Sequence, residues 1–114
     1  MKDSILKTIK KMLGIDEDYN AFDIDIIAHI NTALMIAFQF GIGRQFYILG
    51  ADETWGDYLG DNEAFLPGII TYVYEKVKLV FDPPTSTVAA EAAKSMASEL
   101  EYRMNLNYEY DKEE

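Results

Sequence analysis

An all-α fold is the class this sequence predicts, a compact bundle of about four helices with an irregular segment between the second and third. Three observations point to it. Apolar residues recur at spacings of three and four in four separate stretches. Each stretch is bounded by capping residues, glycine or proline. The one β-prone run, Phe46-Tyr47-Ile48-Leu49, is too short and isolated to make a sheet alone, although it could enter a small hairpin.

The first helix is expected over about Asp3 to Leu13. Ile5, Leu6, Ile9, Met12 and Leu13 form its apolar stripe, Asp3 or Ser4 caps its start, and Gly14 suits its left-handed end. Its lysines fall on the opposite face, where one can meet an acidic neighbour but a solvated face is the expected reading for each. The loop that follows carries Asp16, Asp18 and Asn20 at the first three ligand positions of a calcium loop. The match then fails, because Ala21 replaces the required glycine and Ile27 the bidentate glutamate. A local reading is better: Asp23 caps the second helix and Phe22 packs before it as a staple.

The second helix spans about Asp23 to Phe40, with Ile26, Ile27, Ile30, Leu34, Ala37 and Phe38 on its apolar face and Gly41 at its end. His29, the sole histidine, lies beside that face and stands four residues from Asp25, close enough to pair with it. One imidazole in a chain without cysteine builds no metal site.

Residues 41–60 are irregular but rich in large apolar groups. Thr54-Trp55-Gly56-Asp57 reads as a capping box with Asp57 in the usual glutamate position. Phe46, Ile48, Trp55 and Tyr58 either pack on their own domain or dock on a neighbouring subunit. Docking predicts that Trp55→Ala weakens assembly more than monomer stability; equal loss of both favours internal packing.

Pro67 suits the first turn of the third helix, where Ile69, Ile70, Val73, Tyr74, Val77, Val80 and Phe81 follow at helical spacing. Asp82-Pro83-Pro84 ends it, since a residue before proline is disfavoured in the α region. Thr85, Ser86 or Thr87 then caps a fourth helix, about Thr87 to Asn105, with Val88, Ala92, Met96, Leu100 and Met104 at intervals of four and alanines beside them. Residues 1–106 read as one domain. Residues 107–114, acidic and without periodicity, read as a mobile tail.

Composition narrows the function. The 114 residues carry a net charge of −10 and no cysteine, which removes disulfides, thiol nucleophiles and thiolate metal sites. Residues 1–14 hold four lysines against Asp3, which leaves −13 for the remaining hundred residues. Clustered basic residues for gripping duplex DNA are absent. No apolar run approaches the roughly 20 residues of a membrane helix, no signal peptide is recognisable, and the chain reads as a soluble protein. Catalytic motifs are missing too: Gly41-Ile42-Gly43-Arg44 is too short for a dinucleotide fingerprint and follows a helix. The sequence therefore reads as noncatalytic.

The ordered segments together resemble the small head–tail connector proteins of tailed bacteriophages, also called head-completion or portal-adaptor proteins, in particular those of phages of Gram-positive bacteria. The resemblance runs through Ile9-Lys10-Lys11-Met12-Leu13-Gly14-Ile15, Tyr19-Asn20-Ala21-Phe22-Asp23 leading into Ile26-Ile27-Ala28-His29-Ile30-Asn31, Thr54-Trp55-Gly56-Asp57-Tyr58-Leu59-Gly60-Asp61, Tyr72 to Pro84, and Glu99 to Asn105. Trp55, Asp57, Leu59, Phe81, Asp82, Pro83 and Pro84 carry its structural motifs. Leu66-Pro67-Gly68 departs from the pattern and shifts the start of the third helix.

The resemblance implies a virion protein with no cofactor, assembled in the host cytoplasm into a dodecameric ring at the head–tail junction. Its implied partners are its own copies, the portal protein, and the next head-completion or tail adaptor, with DNA passing through the lumen. The acidic surplus is then expected to line that lumen, so that DNA slides without sticking. Rival classes are an acidic phage DNA mimic and a helical regulator that captures one host protein. Charge spaced like phosphates along one continuous face would mark the mimic.

Overall fold

The computed structural model describes the backbone of residues 2–113 and side chains through residue 106. Five α-helices occur in it: α1 (Ile5–Met12), α2 (Asp23–Gln39), the single-turn α3 (Trp55–Leu59), α4 (Leu66–Phe81) and α5 (Thr87–Glu113). A 3-10 turn, Glu63–Phe65, leads into α4. The all-α class holds, with four substantial helices. Among the described residues no strand forms, and one isolated antiparallel bridge joins Ser4 to Thr54.

The helix ends follow from local chemistry. Ser4 accepts the Lys7 N–H at 3.2 Å and opens α1. Gly14, at φ 79°, closes it: the Gly14 N–H donates to the Lys11 carbonyl and the Ile15 N–H to the Lys10 carbonyl. That double bond pattern is a Schellman motif. It recurs at the end of α2, where Gly41 (φ 93°) donates to Phe38 and Ile42 to Ala37, while the Ile42 side chain drops into the core. Pro67 sits in the first turn of α4, which begins at Leu66 directly after the 3-10 turn. Past the double proline, Ser86 accepts the Ala89 N–H at 3.2 Å and starts α5.

α4 is the shared wall. α2 packs on one side of it and α5 on another, and α1 touches both α2 and α4. Phe22 at the start of α2 meets Phe81 at the end of α4 edge to face, so these two helices run antiparallel. The outcome is a flat body, 45 × 35 × 18 Å along its principal axes. The core holds Ile5 and Ile9 of α1, Ile26, Ile30 and Leu34 of α2, and Ile69, Tyr72, Val73 and Val77 of α4.

Three expectations need correction. The hairpin in residues 41–60 is replaced by side-chain partners for the backbone. Asn31 of α2 accepts the Ile48 N–H at 2.7 Å and donates to the Ile48 carbonyl at 3.0 Å. The Glu53 carboxylate accepts the N–H groups of Leu49 (2.7 Å) and Gly50 (3.3 Å). With its peptide groups satisfied this way the run needs no partner strand.

Lys10 is the second correction: it is buried, not solvated. Its ammonium donates to the carbonyls of Glu17 (3.0 Å) and Tyr19 (2.9 Å) and pairs with Asp23 at 2.9 Å. Asp23 is therefore occupied by the lysine and does not cap α2, whose N-cap position is Phe22. The loop that looked like half a calcium site does converge oxygens on a cation, and that cation is Lys10.

The third concerns α5. Steps of four overshoot the helical turn by about 40° each, so a line of four such steps drifts about 160° around the helix. Val88 and Met104 thus point to nearly opposite sides. Met104 and Ala97 are buried against the body, whereas Val88 is 80% and Met96 47% exposed. α5 also runs past the expected end at Asn105, to Glu113. The expected mobile tail, residues 107–114, falls on positions whose side chains lie outside the described residues.

Candidate functional site

Residues 41–60 form a packed brace between α1 and α2. The Thr54 hydroxyl accepts the Asp57 N–H at 3.1 Å and the Asp57 carboxylate accepts the Thr54 N–H at 3.0 Å, completing the capping box of α3. That turn aims Trp55 at α1, where its indole N–H donates to the Thr8 hydroxyl at 3.1 Å. Thr8 in turn donates to the Ser4 carbonyl. Backbone bonds from Ile5 to Glu53 and from Trp55 to Asp3 fasten the same junction.

Tyr58 fills the space on the other side of α3. Its hydroxyl lies 2.9 Å from the Leu34 carbonyl oxygen and 2.7 Å from that of Ile42, and shares its one proton between them. Gly43, at φ 74°, lies so close that a β-carbon there would stand 2.4 Å from the Tyr58 ring. Phe46 covers the ring edge, with centroids 6.1 Å apart.

Of the residues expected at the assembly contact, Ile48, Trp55 and Tyr58 are thus enclosed within their own chain, and Phe46 is half-buried. Leu59 is also internal and Asp57 is spent on the cap. The side chains this segment presents outward are Tyr47 and Leu49, which alternate with the buried Ile48. Sequence patterning held that alternation, but the direction of the strand-like run is fixed by Asn31 and Glu53.

The corner after α4 places Asp82, Pro83 and Pro84 at the surface, where Lys78 pairs with Asp82 at 3.2 Å. Beyond it α5 folds back antiparallel along α4. Tyr72 ties the two helices: wholly buried, it donates to the Glu101 carboxylate at 2.7 Å, with Lys76 3.7 Å from the same oxygen. Tyr72 was absent from the expected stripe of α4. Its signal in the sequence was its place three residues after Ile69 and beside Val73.

The opposite side of the α4–α5 seam is an open apolar groove. One section, of about 310 Å³, is walled by Tyr74, Glu75, Lys78 and Pro84 over Ala89, Ala92, Ala93 and Met96. A second, of about 390 Å³, continues from Met96 past Leu100 toward Pro67 and Gly68. Another cavity, of about 650 Å³, lies elsewhere, between α1 and the following loop. Its walls mix Lys7 and Lys11 with Asp3, Asp16 and Glu17. Among the described residues no group of three or more metal-ligating side chains converges, and no ion pair joins Asp25 to His29.

Tyr58 and Tyr72 give the fold an alkaline limit. Burial pushes both phenols well above their ordinary range; for Tyr72 the bond to the Glu101 carboxylate adds to it. The folded chain then keeps both protons after the unfolded chain, ionising near pH 10, has lost them. Stability is full below about pH 10 and falls above it, by up to about 1.4 kcal/mol per pH unit for each tyrosine. Urea unfolding at pH 8 and pH 11 is expected to show a clearly lower midpoint at pH 11, and Tyr72→Phe to reduce that difference.

The described side chains offer surfaces for packing. No helix among the described residues is long and apolar enough to cross a membrane. No curated protein and no solved structure matches the chain. A family model described as "Phage connector protein" matches residues 5–111, from the first residue of α1 into the last turns of α5. With nearly its whole length accounted for by that match, the chain belongs to the phage connector protein family.

Proposed function

We propose that this connector forms a dodecameric ring beneath the portal, extends the DNA channel out of the head, and presents the surface on which the next adaptor or the tail docks. The family match across residues 5–111 carries this reading. The surface supports it: a chain this small leaves Ile24, Leu49, Val88 and other large apolar side chains in the open, as a subunit with further contacts to make would. The proposed ring is built from heterologous contacts, in which one face meets a different face of the next copy.

Within the 41–60 segment, Tyr47 and Leu49 make the contact and the enclosed Trp55, Tyr58 and Ile48 hold them in position. The net charge of −10 finds its use at the lumen, where carboxylates keep the DNA backbone sliding. Electron microscopy of the purified protein mixed with its portal is expected to show an added collar of twelve subunits with an acidic inner surface. Portal particles without added density refute the ring; a neutral or basic lumen refutes the charge argument alone.

A further inference from the structure

α2 is apolar on two sides. Its core line, Ile26, Ile30, Ala33, Leu34 and Ala37, faces α1 and α4. A second line, Ile24, Ala28, Asn31, Met35 and Phe38, follows strict four-three spacing on the roughly opposite side of the helix. Asn31 is engaged by Ile48, but Ile24 is 84% exposed, Met35 52% and Phe38 41%. Leu49, 78% exposed, flanks the same side through the Asn31–Ile48 bond. A second apolar stripe on a helix ordinarily has a second neighbour to cover it, and spacing of this kind is the pattern of a helix–helix seam.

Charge says what covers it. Residues 23–63 carry seven carboxylates against one arginine, so two copies meeting through this half repel each other. The α4–α5 region, residues 66–106, balances five carboxylates with four basic side chains, and in the groove wall Lys78, paired with Asp82, stands with Glu75 beside exposed Met96. The groove floor is largely alanine, which lets another helix approach closely.

We infer that the outward face of α2, with Leu49, docks in the α4–α5 groove of a second copy, the two faces together forming the repeating contact of the assembly. This rests on the ring reading above and adds which two surfaces meet. A like-with-like α2 contact is disfavoured by charge, whereas the groove, whose Lys78 and Arg103 are paired with Asp82 and Glu99, supplies a near-neutral acceptor.

The cysteine-free chain makes the test clean. Met35→Cys and Met96→Cys, combined in one chain, assembled with the portal and treated with a short bismaleimide, are expected to give a ladder of covalent multimers. The two single variants mixed should stop at dimers, and neither alone should cross-link. Portal-bound rings without a ladder overturn this contact and leave the ring standing. Cross-linking of Met35→Cys alone, or of Met96→Cys to the portal protein, overturns it by naming another occupant. Absence of both rings and ladder overturns it together with the proposed function, while a ladder without portal-bound rings supports the contact and refutes the portal role.

Discussion

Trp55→Ala is expected to unfold the subunit before it affects any contact between subunits. The indole is 1% exposed and donates to Thr8 across the junction of α3 with α1. Removing it leaves a cavity where three segments meet, and buried tryptophan-to-alanine changes cost about 3–5 kcal/mol. Thr8 loses its partner but keeps its own bond to Ser4, so the cavity dominates the loss. In a domain of this size the midpoint of thermal unfolding should fall by roughly 10–20 °C. Circular dichroism on the dilute monomer is the measurement. A variant that melts like the parent yet fails to join rings would restore Trp55 to the interface. Tyr47→Ser is the contrasting change, because that exposed ring has little to lose in the monomer.

Gly43→Ala is the second large effect. Two penalties act at one atom. The backbone at φ 74° is a region that residues with a β-carbon avoid at a cost of about 1–2 kcal/mol. The new methyl would also stand 2.4 Å from a Tyr58 ring carbon. That ring is held by its hydroxyl at the Leu34 and Ile42 carbonyls and cannot swing aside without breaking those bonds. Overpacking of this kind adds about 1–3 kcal/mol. Urea denaturation should show a loss of about 3 kcal/mol or more. Gly50→Ala, where a β-carbon meets nothing within 4 Å, should change little and serves as the control. Equal effects at the two positions would contradict the Tyr58 contact.

What the sequence disclosed and what it withheld divide along the range of the interactions. Ser4, Gly14, Gly41, the Thr54–Asp57 box, Pro67 and Ser86 act on backbone groups a few residues away, and each does in the structure what its type suggests. The partners of Lys10, Asn31 and Tyr72 are set by tertiary packing, and local pattern could not name them. Lys10 lies among three other lysines, and only the folded loop distinguishes it from them. Asn31 interrupts an apolar helix with no sign that it holds a segment 17 residues on.

The candidate site shows the same division. Aromatic and apolar richness in residues 41–60 was plain, but whether those groups turned inward depended on the Thr8, Leu34 and Ile42 atoms that receive them. The four-residue recurrence in α5 was real and still misleading, since its drift carries Val88 out of the face that Met104 occupies. Family membership was legible because the matched segments keep their order along the chain, and the match spans residues 5–111.

Lys10 also bears on how the loop of residues 15–23 keeps its shape. A loop that folds around a diffusible ion holds its form only while the surrounding concentration exceeds the dissociation constant. Here the positive charge is tethered seven to thirteen residues from the oxygens it holds, so its effective concentration is set by the chain and not by the medium. Dilution, chelators and a change of surrounding medium act on free ions and leave an ammonium on its own side chain untouched. The entry to α2, and with it the helix that carries two apolar faces, is thereby made indifferent to the ionic history of the particle.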